Sequence, residues 1–154
     1  MKWIYRLFGK KDTLSLPEVL QNTKIKLVDS KIIIPTESPE EHLQVIANYI
    51  SYIITKDIGI RTEAIDTTIH PDSRDLNPET HPQYRIIWKD RRAGSNEEIP
   101  FINVNPEDTA IRIETSIYLE NVLENAPRKK RDNIKNVMQL VYNTLLPNIS
   151  KSSF

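Results

Sequence analysis

Between Ser38 and Gly59 the chain carries a complete helix written with both of its ends. Ser38 suits a cap, Pro39 suits the first helical position, and Glu41 completes a capping box. Leu43, Ile46, Ala47, Ile50, Ile53 and Ile54 then recur at helical spacing, and Gly59 fits the C-terminal turn. The spacing predicts a helix over about 39–56 with one broad apolar face. Such a face must be buried against something, so whatever flanks this helix has to supply a second layer.

The flanking sequence changes period. Before the helix, KIKLVDSKIIIP reads as two β-rich runs around Asp29-Ser30, a hairpin whose second strand ends at Pro35. After it come IRTEAIDTTIH, QYRIIWKD, IPFINVN and TAIRIETS, four strand candidates separated by turn residues. In the last, Ala110, Arg112 and Glu114 alternate with Ile111, Ile113 and Thr115, which favours a strand to about Ser116 over a rival helix across 106–125. Asn105-Pro106-Glu107-Asp108 is expected to form the turn before it.

Three further helical segments are expected. Ser15-Leu16-Pro17-Glu18 is a capping box opening about two turns. YLENVLEN forms a short helix, and Pro127 ends it. Ile134, Val137, Met138, Val141 and Leu145 then make the apolar stripe of a last helix ending near Pro147.

The expected fold is therefore α+β: an antiparallel β-meander of about four strands, preceded by a long amphipathic helix and followed by C-terminal helices packing on the sheet. Residues 1–12 form a basic amphipathic arm, 13–149 a single domain, and 150–154 a loose tail. The 154 residues suit one domain with a core large enough to dispense with staples.

Composition removes whole classes of chemistry. With no cysteine there are no disulfides, thiolate zinc sites or cysteine nucleophiles. Gly9, Gly59 and Gly94 are too dispersed for a glycine-rich phosphate loop. Lys plus Arg and Asp plus Glu are both 21, which argues against a general nucleic-acid binder. No stretch reaches the roughly 20 apolar residues of a membrane span, and the N-terminus lacks a signal-peptide core, so a cytoplasmic location is expected, with a membrane-peripheral one as its variant.

Candidate chemistry lies in three places. His70, Asp72, Asp75, Glu79 and His81 are metal-ligand types within one segment, IHPDSRDLNPETHPQYRIIW. The prolines and turn-formers explain the same stretch as an extended connection, and the metal reading needs His70 and His81 to face each other. Pro71-Asp72 with Trp88-Lys89 superficially fits a metal-dependent nuclease site, but the acid needed two residues before the lysine is Ile87. In the arm, Trp3, Ile4, Leu7 and Phe8 share one helical side, among Lys2, Arg6, Lys10 and Lys11. It fits weak contact with an anionic membrane through residues 1–11, a partner, or the chain's own domain. Arg128-Lys129-Lys130-Arg131 is a second basic run, read as a solvated face or an anion-attracting surface, with Asp132 as the following cap. No aromatic accompanies it, as nucleic-acid stacking would require.

The resulting expectation is a cytosolic, non-enzymatic protein-binding module of the adaptor, escort or immunity type. It would need no cofactor and would meet another protein through Trp3, Ile4, Leu7, Phe8 and Arg128–Arg131. The alternatives are a metal-dependent hydrolase using the 70–81 loop (His70, Asp72, His81) and a peripheral membrane protein anchored by the arm.

Overall fold

The computed structural model describes residues 16–21, 23–67, 83–89 and 98–152, with residues 147–152 described by their backbone alone. The expectations for Trp3, Ile4, Leu7 and Phe8, and for His70, Asp72 and His81, fall outside these residues.

The fold is α+β, as the periodicities imply: the expected four-strand meander is present, and the N-terminal hairpin joins it to make a sheet of six strands among the described residues. They are β1 (Lys26–Val28), β2 (Lys31–Pro35), β3 (Thr62–Asp66), β4 (Tyr84–Lys89), β5 (Glu98–Pro106) and β6 (Ala110–Thr115). All neighbours are antiparallel in the order β1-β2-β6-β5-β4-β3. The meander β3–β6 thus folds back toward the N-terminal hairpin, and β2 closes against β6.

The hairpin forms at Asp29 and Ser30, whose φ angles are 51° and 64°. Positive φ at both central residues is what a two-residue turn of the primed kind needs to match strand twist. Between β5 and β6 the turn falls later than the sequence suggests. Pro106 still pairs with Ile111, and the Glu107 N–H closes the turn on the Ala110 carbonyl at 2.7 Å. Residues 110–115 are strand, so the helical alternative is discarded.

Helix α1 (Pro39–Ile58) joins β2 to β3. Its 20 residues make a rod about 30 Å long. Four strand spacings separate β2 from β3, a distance of about 19 Å. One helix therefore crosses the sheet and roofs most of it. Pro39 takes the first turn as expected, yet Ser38 makes no side-chain cap. Instead the Ser38 N–H donates to Thr36 Oγ1 at 3.3 Å.

Below α1, Ile32, Ile34, Ile111, Ile113, Val104, Ile102 and Ile86 form the core face of the sheet. Leu43, Ile46, Ala47, Ile50, Ile53, Ile54 and Ile58 descend onto it from α1. Burying one such side chain fully is worth about 1.5–3 kcal/mol. After Ser116 the chain makes α2 (Leu119–Asn125), a 3₁₀ turn at Arg128–Lys130, α3 (Arg131–Lys135) and α4 (Val137–Ser152). Ile134, Val137, Met138, Val141 and Leu145 all join the core. The stripe is right, but the expected single helix is broken at Asn136, and its backbone passes Pro147 to reach Ser152. The expected N-terminal helix is reduced to one 3₁₀ turn, Glu18–Leu20, which buries Leu20.

The opposite face is polar because the alternate residues are. Glu114 receives Lys31 at 3.5 Å and Arg112 at 3.7 Å, and Arg112 reaches Glu107 at 3.1 Å. Asn103 and Asn105 lie between β4 and β6 and are buried, and Asn105 Oδ1 accepts the Gln83 N–H. Ile87 is buried on this side, outside the main apolar cluster.

Both edges of the sheet are guarded. β1 is three residues long, with exposed Lys24 and Lys26. On β3, the Thr62 N–H donates to Thr55 Oγ1 at 3.3 Å, so a helix hydroxyl occupies part of the free edge.

Two tyrosines titrate late. Burial, then the charge of and hydrogen bond to Asp66, push the Tyr84 phenol above its ordinary pKa of 10.0. Burial, then Tyr52 and Asp57, do the same to Tyr49. The folded state thus holds these protons more tightly than the unfolded chain does. Their contribution is fully present below pH about 10 and is lost as pH rises through the folded values. The urea midpoint is expected to fall through this alkaline range, and Tyr84→Phe to flatten that fall. An unchanged slope in the variant would remove Tyr84 from the account.

Candidate functional site

Of the surfaces singled out in the sequence, the structure describes the basic run at Arg128–Arg131. Pro127 ends the extended connection from α2, and Arg128–Lys130 form a 3₁₀ turn leading directly into α3. Its four cations do not behave alike. Arg128 and Lys129 are exposed, while Lys130 and Arg131 are half-buried.

Lys130 reaches back to the end of α1. Its ammonium donates a hydrogen bond to the carbonyl of Gly59, the residue that ends α1. The last carbonyls of a helix lack intrahelical partners and mark the negative end of its dipole, so a cation is favoured there. Gly59 adopts φ 80° and ψ 30°, and its N–H returns to the Thr55 carbonyl. The expected glycine stop is present, with Lys130 capping it from a remote part of the chain.

A Cβ placed on Gly59 would lie 3.1 Å from the Lys130 nitrogen. Gly59→Ala is therefore expected to cost about 1–2 kcal/mol from the left-handed backbone, and to displace Lys130 as well. Chemical denaturation reads the first effect, and the amide shifts of residues 128–131 read the second. Unmoved shifts would show that the lysine adapts freely.

Among the described residues, Arg128, Lys129 and Arg131 take part in no ion pair. Arg131 Nε is buried without a hydrogen-bond partner. Arg61 is exposed and likewise takes part in no ion pair among the described residues. It is two residues beyond Gly59, so their Cα atoms are at most about 7.6 Å apart. Asp132, expected as a cap, lies in the first turn of α3 but makes no capping side-chain bond. It remains an exposed carboxylate beside the cations.

The other candidates are dispersed. Lys89, weighed as a nuclease lysine, instead forms an ion pair with Glu63 on the neighbouring strand. Among the described residues there is no group of three or more histidines and carboxylates placed to hold a metal ion. Among the same residues, no helix is long and apolar enough to cross a membrane.

No family model matches the chain, and neither a curated protein nor a solved structure matches it.

Proposed function

We propose that the chain is a non-enzymatic protein-binding module of the adaptor, escort or immunity type, acting in the cytoplasm. One observation supports this above all: Arg128 and Lys129 are exposed, and among the described residues they take part in no ion pair. The turn that carries them is fastened on both sides, by Lys130 to Gly59 and by Ile134 to the core. A contact surface already ordered before binding loses little conformational freedom when a partner arrives. Trp3, Ile4, Leu7 and Phe8 are proposed as a second contact.

The test is capture from the native cell with the tagged full chain, competed by untagged chain and quantified by mass spectrometry. A protein recovered saturably and displaced by the competitor is expected. Recovery that neither saturates nor competes would refute the module.

A further inference from the structure

We infer that the part of the partner meeting this surface is a short acidic segment of a protein, held by Arg128, Lys129 and Arg131. Lys130 acts as the positioning residue. The inference rests on the protein-binding reading above and narrows it to a chemistry.

The division of labour among the cations comes from their contacts. Lys130 is already committed to the Gly59 carbonyl. What it contributes is the placement of its neighbours. Arg128 and Lys129 point their charge at solvent, and Arg131 keeps a buried Nε without a partner. Arginine presents a planar fork of donors that matches a carboxylate with two parallel hydrogen bonds. A half-buried guanidinium forms that pair with less screening than an exposed one.

The same surroundings disfavour a nucleic acid. A phosphate backbone is a long, evenly charged track, and its binders neutralise many phosphates along it. Here the positive stretch is short and interrupted. Asp132 follows Arg131 directly, and Asp57 precedes Gly59 by two residues, both exposed. These carboxylates would repel a continuing backbone but leave room for a few side-chain carboxylates. The chain's formal net charge is zero, so there is no broad field to gather a polyanion. The turn contains no aromatic residue on which a base could stack.

The experiment uses the full chain and two fluorescent probes: a peptide with a run of about six Glu and Asp residues, and a single-stranded oligonucleotide of equal charge. Anisotropy at low and high salt reads binding. The peptide is expected to bind, and its Kd to rise about tenfold or more in R128E/K129E. Both side chains are exposed, so the unfolding midpoint should stay put. R128Q/K129Q serves if the reversal variant fails to fold, with a smaller loss in the same direction.

Lys130→Gln is expected to weaken the peptide with its salt slope unchanged, and Lys130→Arg to restore it. A reduced slope in Lys130→Gln would make Lys130 a contact and overturn its positioning role. No peptide binding by the wild type, an unchanged Kd in the charge variants, or tighter binding of the oligonucleotide would overturn the acidic-segment inference. If the cellular partner is still captured equally by R128E/K129E, the module stands and this inference alone falls. If neither chain captures a saturable partner, the broader reading falls first.

Discussion

Replacing Phe101 with alanine is expected to remove about 3–5 kcal/mol of folding stability. Phe101 is the extra residue where β4 and β5 shift register: Ile86 pairs with Ile102, and Ile87 with Pro100. The bulge bends the strand and carries the ring into the apolar cluster, where it is 0% exposed. Its carbonyl accepts the Ser116 N–H at 2.8 Å, just where the chain leaves β6 for α2. The ring therefore packs at a junction already fixed by a backbone hydrogen bond. Such a site relaxes little around a cavity, which favours the upper part of the range. Domains of this kind are stable by roughly 5–15 kcal/mol in total, so the variant would be marginal. Urea unfolding measures the loss, and Phe101→Leu should give back part of it. A loss below about 1 kcal/mol would mean that the pocket collapses after all.

The second large effect falls on an edge strand. Thr62 Oγ1 donates to the Ser51 carbonyl at 3.0 Å, which leaves its lone pairs for the hydroxyls of Ser51 at 2.7 Å and Thr55 at 3.1 Å. One side chain of β3 is thus the hub of a hydroxyl cluster on α1. Thr62→Val keeps the shape and removes the hub, leaving the hydroxyl of Ser51, a buried residue, without that partner. The expected cost is about 1–3 kcal/mol. Amide exchange should quicken in β3 before α1. Because the penalty lies in the orphaned group, adding Ser51→Ala should recover much of it. Additive losses in the double variant would contradict this account.

The sequence is most legible where one local signal decides the outcome. Ser38-Pro39 and Gly59 bracket α1, Asp29-Ser30 turns the hairpin, and the alternation from Ala110 to Thr115 separates core from polar face. Pairing between remote segments is not written locally. Nothing in KIIIP announces that it will lie beside TAIRIE, since any strand with the same alternation offers an equivalent ladder. The candidate site shows the same limit. The basic run from Arg128 is plain, but Lys130 differs from its neighbours through a carbonyl far away in the chain. The break at Asn136 also escapes periodicity, because the apolar stripe continues across it.

The closing of β2 onto β6 gives the chain an order of events. Ile32 has its neighbour on one side within a few residues, at Leu27, but on the other side it waits for Ile113. During synthesis the hairpin and α1 leave the ribosome long before the strand that completes their sheet. Until then α1 lacks most of the sheet that it roofs, and its apolar face has little to pack against. Contacts so distant in sequence slow folding, and they lengthen the time for which that face is available to other chains. The hairpin is thus translated before the strand that completes its pairing.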